Sequence, residues 1–253
     1  MELVLSLFPG IGMLDKGFEE AGFCIVRGPD LIFGGDVRTF RVPAGKFDGV
    51  IGGPPCQDFS KARRSAPSGN GLEMISEFER IVQEATPTWW LAENVPCVPN
   101  IRISGYSWQR LDVSPRDFGA RQIRNRHVQF GANDGGVVVL ERSSAGAESI
   151  QTVTTGDRRP VSVIAELQGL PADFDIPAFS RVAVKRAIGN GVHLAVARAL
   201  AMAVTHRSLN AHHRLCSCGC GRPVTGRQLS ASRACRKRNY DRKNKTCINT
   251  KTT

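Results

Sequence analysis

A cysteine at the end of an apolar run is the first residue whose setting suggests chemistry. Cys56 lies in IGGPPCQDFS, directly after two glycines and two prolines. Proline fixes φ and stiffens the backbone, so the thiol should be held at a rim instead of inside the core. Nearby cations such as Arg63 and Arg64 would lower its pKa and make it a nucleophile. A packed structural thiol is the alternative reading of this residue.

Carboxylate and guanidinium groups follow further along the chain. Glu93 comes after two tryptophans in WWLAENVP, which predicts a carboxyl group near the interior. Desolvation raises the pKa of such a group and makes it a proton donor, although a satisfied buried acid is the alternative. Gln122, Arg124 and Arg126 alternate and would face the same way on a strand. Two guanidiniums on one face favour an acidic ligand or a base carbonyl.

A glycine-rich turn stands near the start of the chain, in LFPGIGMLDKGFEEAGF. Gly10 and Gly12 would let a ligand approach the backbone, beside the free N–H groups of a helix N-terminus. The spacing is not GxGxxG, and no lysine is present for a phosphate. Asp30, at the end of the next predicted strand, can accept hydrogen bonds from two ribose hydroxyls. A turn residue after Pro29 is the alternative for Asp30.

The apolar pattern predicts elements that bring these residues together. Strands alternate with helices, which indicates a parallel sheet with covering helices. Ligands of such sheets bind beyond the carboxyl ends of the strands, so Gly10, Asp30, Cys56 and Glu93 should share one edge. The predicted strands are 2–8, 24–30, 47–55 and 88–96, and the predicted helices between them are 13–23 and 73–85.

The second half of the chain carries further predicted elements. Residues 126–132 and 135–141 resemble the two strands of a hairpin, and a polar loop covers 141–159. A helix is predicted over 161–170, and a long apolar helix should start near Asn190.

Taken in order, these segments resemble the DNA (cytosine-5)-methyltransferase family over about residues 3–204. The resemblance implies an α/β, Rossmann-like S-adenosylmethionine-dependent methyltransferase fold. The segments that carry it are LFPGIG, GGPPCQDFS, ENV at 93–95, Gln-x-Arg-x-Arg at 122–126, LQGLPADF at 167–174 and IGNGV at 188–192.

The resemblance implies a role for each matched residue. The Cys56 thiolate would add to carbon 6 of a flipped-out cytosine, so that carbon 5 can take the methyl group. Glu93 would hold N3 and the amino group, and Arg126 with Arg124 would hold the O2 carbonyl. The implied catalytic set is Cys56, Gln57, Glu93, Asn94, Arg124 and Arg126. The implied S-adenosylmethionine set is Phe8, Gly10, Ile11, Gly12, Asp30 (ribose), Asp36 (adenine), Pro55, Asn190 and Val192.

Some positions depart from the family pattern. Ser6 and Met13 replace an aspartate and a glycine of the first motif, and Ala187 replaces a glutamine of the last. Only a short segment, about 131–158, is available for target recognition, so direct base readout should be limited.

The end of the chain differs in charge from the rest. Residues 206–253 contain 12 basic residues and one acidic residue, while residues 1–205 are balanced. We therefore predict a catalytic domain at 1–205 and a tail at 206–253 that binds a polyanion. A basic end that only solubilises the protein is the alternative for the tail.

Cysteines crowd the same tail. Four thiolates could hold a structural Zn²⁺, with His212 or His213 as an alternative to Cys216. A metal-free tail that becomes ordered on DNA is the other possibility. The predicted ligands are Cys216, Cys218, Cys220 and Cys235.

The sequence also suggests a partner and a location. We expect a monomer that acts on double-stranded DNA in the cytoplasm of a bacterial or phage-infected cell, near the nucleoid, in restriction-modification or protection. MELVLSLFPG has no signal-peptide pattern, and no membrane association is expected. An RNA cytosine methyltransferase and a non-catalytic DNA-binding protein are the alternatives.

Overall fold

The computed structural model describes residues 1–59, 66, 68–143, 149–208, 214–218, 223–224, 228–230 and 232–244. The strands are β1 (Leu3–Leu7), β2 (Cys24–Arg27), β3 (Gly49–Gly52), β4 (Trp89–Asn94), β5 (Ser107–Val113), β6 (Arg126–Ala132), β7 (Arg214–Leu215) and β8 (Pro223–Val224). The α-helices are α1 (Met13–Glu20), α2 (Asn70–Ala85), α3 (Val161–Leu167), α4 (Arg181–Asn190), α5 (Leu194–Thr205) and α6 (Arg233–Asn244).

Within the described residues, six strands form one sheet in the order β2-β1-β3-β4-β6-β5. The first four in this order run parallel, whereas β6 runs antiparallel to β4 and β5 antiparallel to β6. The predicted α/β class is confirmed, and the four strands expected to be parallel are parallel. The reversed pair places the start of β6 at the edge where the parallel strands end.

Two adjacent tryptophans on β4 anchor the layers on either side of the sheet. Successive strand residues point to opposite faces, so Trp89 and Trp90 enter different cores. Trp89 stacks on Phe18 of α1 at 6.1 Å between ring centroids. Trp90 meets Phe78 of α2 edge-on, also at 6.1 Å. Both indoles are fully buried, so β4 is the centre of a three-layer domain.

Helices α1 and α5 cross at very short range on one face of the sheet. A Cβ atom at Gly17 would lie 2.5 Å from the backbone carbon of Ala197. Small residues along α5 allow this approach. By length and composition, the segment Arg181–Thr205 is apolar enough to cross a bilayer. However, 67% of its most apolar 18-residue stretch is buried inside the domain. Packing against α1 and the sheet accounts for that composition.

The predicted hairpin between 126–132 and 135–141 is wrong. β6 forms over the first segment, but its outer partner is β5, which the sequence pattern did not reveal. The segment after β6 is held by a side chain instead of a strand ladder. Gln109 of β5 donates to the Val138 carbonyl at 2.8 Å and accepts from the Val138 N–H at 3.0 Å.

The long apolar helix expected to start near Asn190 is present as α5, with a later start. Asn190 is the last residue of α4, and α5 begins at Leu194. His193 caps the new helix, because its Nδ1 accepts the N–H of Ala195 at 3.1 Å. Burial lowers the pKa of His193 to about 4, which keeps this nitrogen available as an acceptor at neutral pH. The break leaves residues between the two helices free to line a cavity.

Replacing Gly17 with alanine should destabilise the domain, because the added methyl group has no space against α5. We expect a loss of about 1–3 kcal/mol in the free energy of unfolding, measured by chemical denaturation. Gly156→Ala is the matched control, since a Cβ atom there meets nothing within 4 Å. Equal stabilities of the two variants would contradict the close packing of α1 on α5.

Candidate active site

A cavity of about 390 Å³ opens at the edge where β1, β3 and β4 end. Nearly all of the predicted catalytic and cofactor-binding residues line it. They therefore lie together at one edge of the sheet, as the sequence predicted. The predicted residues that line it are Phe8, Gly10, Ile11, Asp30, Asp36, Pro55, Cys56, Gln57, Glu93, Asn94, Arg124, Arg126, Asn190 and Val192.

The turn between β1 and α1 forms one wall and is held by Asp30. Phe8 and Gly10 both have left-handed backbones, with φ of 54° and 55°. Asp30 accepts the N–H of Gly10 at 2.8 Å through Oδ2 and the N–H of Ile32 at 2.9 Å through Oδ1. A Cβ atom at Gly10 would meet nothing within 4 Å, so the turn is open to a ligand. Each carboxylate oxygen of Asp30 retains acceptor capacity.

A buried polar network lies beneath this turn, and its centre, Asp15, was not among the predicted site residues. Asp15 is completely buried and accepts from Ser6 Oγ at 2.5 Å and from Arg27 Nε at 2.8 Å. The serine that departs from the family pattern is thus a donor to this carboxylate. Gly12, predicted to bind the cofactor, does not line the cavity; it precedes α1 with φ 74° and packs against Arg27. A carboxylate in the first turn of an otherwise apolar helix face was the available signal.

Asp36 stands at the far side of the cavity in an ion pair with its neighbour. The Arg38 guanidinium lies 2.7 Å from Asp36 Oδ2 and also approaches Glu73. This contact lowers the pKa of Asp36, so the carboxylate remains an ionised acceptor. A second carboxylate is therefore available at the rim of the cavity.

Cys56, Glu93 and Arg126 meet at the inner end. Arg126 Nε lies 2.9 Å from Glu93 Oε1, but the angle does not make a hydrogen bond, so this buried oxygen has no hydrogen-bond donor. Burial raises the pKa of Glu93 against the opposing charges of Arg126 and Arg124. Burial, followed by the charge of Glu93, also raises the pKa of Cys56. Without substrate the Cys56 thiol is therefore harder to ionise than a free cysteine.

The loop that carries Cys56 is fixed from below by Asn94. Asn94 Nδ2 donates to the Pro54 carbonyl at 3.0 Å, and its Oδ1 accepts the N–H of Val95 at 2.8 Å. Gln57 is exposed at the rim, in a short 3-10 turn. Residues 60–65, which include the two arginines expected beside Cys56, lie outside the described residues.

Arg124 does not share a strand face with Gln122 and Arg126, so that prediction is wrong. Among the three, only Arg126 belongs to a strand. Arg124 is buried, and its guanidinium donates to the carbonyls of Val153 at 2.9 Å, Gly189 at 2.8 Å and Gly191 at 3.1 Å. Gln122 donates to the Leu167 carbonyl at 2.6 Å. Because β6 begins only at Arg126, Gln122 and Arg124 lie on irregular backbone and bind different carbonyl groups. Through its bonds, Arg124 holds in place the cavity wall that contains Asn190.

The tail brings three predicted metal ligands together. The sulfur atoms of Cys216, Cys218 and Cys235 all lie within 4.8 Å of one another. Cys220, together with the alternative ligands His212 and His213, lies outside the described residues.

Comparison with known proteins places this geometry in context. Residues 34–154 match the family model for C-5 cytosine-specific DNA methylase. The type II methyltransferase M.NgoPII of Neisseria gonorrhoeae is 30% identical over 161 residues, which cover 51% of this chain and 47% of that protein. The type II methyltransferase M.FnuDI of Fusobacterium nucleatum is 37% identical over 161 residues, covering 51% and 46%. The chain thus matches about half the length of these curated relatives.

The fold has solved counterparts as well. The crystal structure of S. pombe Dnmt2 methyltransferase superposes with a TM-score of 0.55 at 14% identity, covering 81% of this chain and 98% of that one. This likeness confirms the predicted methyltransferase fold.

The electrostatic coupling at the inner end predicts a shift in thiol reactivity. Glu93→Gln removes a negative charge that raises the pKa of Cys56. The charges of Arg126 and Arg124, which lower that pKa, then act without opposition from Glu93. Alkylation of Cys56 by iodoacetamide should therefore begin at lower pH in the variant than in the wild type. Peptide mass spectrometry across a pH series measures this at Cys56 itself.

The control is Glu141→Gln, since Glu141 is exposed and does not line the cavity. Its alkylation profile should match that of the wild type. A Glu93→Gln profile that coincides with the wild type, or moves to higher pH, would contradict the coupling.

Proposed function

We propose that this chain, which belongs to the C-5 cytosine-specific DNA methylase family, transfers a methyl group from S-adenosylmethionine to carbon 5 of cytosine in DNA. The observation that carries the proposal is the convergence of a thiol, a buried carboxyl group and a guanidinium at one end of the cavity. These are Cys56, Glu93 and Arg126, and the carboxylates of Asp30 and Asp36 lie in the same cavity.

The outer part of the cavity fits a nucleoside with a charged tail. Asp30 and Asp36 present acceptors suited to ribose hydroxyls and an exocyclic amino group. Leu31, Ile32 and Val37 provide apolar surface between them. Gly10 leaves open space beside the backbone, so a ligand can approach the turn closely. When bound, S-adenosylmethionine supplies an electrophilic methyl group on its sulfonium.

The inner part suits a cytosine ring. Glu93 Oε1 has no hydrogen-bond donor, so it can accept from the exocyclic amino group. Burial raises the pKa of Glu93, which favours proton donation from its other oxygen to N3. Arg126, beside Glu93, is placed to donate to the O2 carbonyl.

Covalent activation follows from this arrangement. The Cys56 thiol loses its proton to solvent, and the thiolate adds to carbon 6 while N3 takes up a proton from Glu93. Carbon 5 then carries the electron pair that forms the new bond to the methyl group. Loss of the carbon-5 proton to solvent lets the C–H bonding pair form the double bond to carbon 6, the carbon–sulfur bond breaks to release the Cys56 thiolate, and N3 returns its proton to Glu93. Glu93 therefore acts twice: while protonated it places no negative charge against the Cys56 thiolate, and it then donates the proton that N3 takes up as carbon 6 is attacked.

We further propose double-stranded DNA as the partner. A target base inside a duplex cannot reach Cys56, so it must be flipped into the cavity. The basic charge at 206–253 supplies phosphate contacts that the nearly neutral domain lacks. Such an enzyme would act as a monomer in the cytoplasm of a bacterial or phage-infected cell, at its nucleoid.

Cys56→Ala should abolish methylation, by roughly 10³-fold or more, because it removes the thiol that adds to carbon 6. Transfer of labelled methyl groups to duplex DNA, with tRNA as a parallel substrate, measures the activity. Binding of S-adenosylmethionine should be unchanged in the variant, which serves as the folding control. Residual activity of Cys56→Ala near wild type would refute the covalent route, and label in tRNA alone would refute DNA as substrate.

Removing the tail should weaken DNA binding and make it less dependent on salt. Arg207 pairs with Glu2 at 2.7 Å and Ser208 bonds to Val137, so the cut belongs after Ser208. Each lost phosphate contact should reduce the slope of log K against log salt by about 0.9. Titration of labelled duplex at several salt concentrations tests this. An unchanged slope would show that the tail does not grip DNA, and an unchanged melting temperature shows that the domain is intact.

A further inference from the structure

Three thiols converge in the tail although they come from separate segments. Cys216 and Cys218 follow β7, and Cys235 lies in the first turn of α6. All three are buried, and the sulfurs of Cys216 and Cys218 are 3.5 Å apart. None of the three cysteines lines the cavity described above.

The spacing matches the edges of a metal tetrahedron. Zinc–sulfur bonds of about 2.3 Å in tetrahedral geometry place the sulfurs about 3.8 Å apart. The observed separations, from 3.5 Å up to a limit of 4.8 Å, bracket that value. A disulfide would need about 2.0 Å between sulfurs, so Cys216 and Cys218, at 3.5 Å, are not joined by one.

Apolar packing does not explain the convergence. Among the described residues of the tail, Val224 is the one apolar partner in the buried cluster with the three cysteines. β7 and β8 are two residues each. A unit this small needs a metal, a disulfide or a partner to fold, because it buries too little apolar surface.

Polar contacts surround Cys235 and join α6 to the segment that carries Cys216 and Cys218. Arg238 lies 3.7 Å from Cys235 Sγ, and Ser232 Oγ lies 3.2 Å from it. Asn239 of α6 donates to Ser217 Oγ, between the two hairpin cysteines, at 2.5 Å. Supporting hydrogen bonds of this kind orient metal ligands in structural sites.

We propose that Cys216, Cys218 and Cys235 are three ligands of a structural zinc ion that builds the tail. Each thiol gives up its proton to solvent when its sulfur binds. The metal fixes the start of α6, whose exposed Arg236, Lys237 and Arg238 then form a basic surface for DNA phosphates.

The test uses the full-length chain purified under reducing conditions. Elemental analysis should find about one zinc per chain, and exchange for Co²⁺ should give a thiolate-to-cobalt charge-transfer band. Cys235→Ser and Cys216→Ser should each lower the zinc content at least several-fold. Cys24→Ser is the matched control, because Cys24 is an exposed thiol of the catalytic domain.

The possible outcomes separate cleanly. A wild-type protein that takes up no stoichiometric zinc or cobalt overturns the proposal, as does full zinc content in both Cys235→Ser and Cys216→Ser. S-adenosylmethionine binding reports the catalytic domain alone, so it identifies any variant that fails to fold as a whole. The metal count is independent of methylation, so either proposal can fail without the other.

Discussion

The buried pair of Glu93 and Arg126 is the contact on which the cavity depends. Glu93 ends a strand of the parallel set, and Arg126 begins the antiparallel strand beside it, so the reversal of β6 brings them to the same edge. Removing one member of a buried pair costs about 3–5 kcal/mol, because the other charge is left without compensation. The pair also sets the ionisation of the thiol, since Glu93 opposes and Arg126 favours the thiolate of Cys56.

Arg124 extends this centre to the opposite wall. Its bonds to the carbonyls of Val153, Gly189 and Gly191 join three segments that are distant in sequence. Arg124 therefore holds three backbone segments together through its guanidinium group. A Cβ atom at Gly189 would lie 2.7 Å from the Thr154 carbonyl oxygen, so the fastening also relies on a glycine. The catalytic end and the cofactor end therefore share one framework.

Much of this site could be predicted from local sequence, and the rest depended on long-range packing. Cys56 and Glu93 stand at the ends of short apolar strands, where the parallel pattern alone fixes their common edge. β5 was not predicted because polar and apolar residues alternate only weakly along it. The more apolar segment after β6 was predicted to pair with β6 instead. The break before Leu194 was hidden by apolar residues on both sides, and the pairing of Ser6 with Asp15 arises only when β1 meets α1.

The central claim is that Cys56 attacks carbon 6 of a cytosine held by Glu93. Duplex DNA containing 5-fluorocytosine tests it most directly, because carbon 5 then has no proton to lose and the adduct cannot resolve. In the presence of S-adenosylmethionine, we expect a covalent complex stable to denaturation, with the modified nucleotide on the Cys56 peptide in mass spectrometry. DNA binding without any adduct, or an adduct on another residue, would contradict the claim.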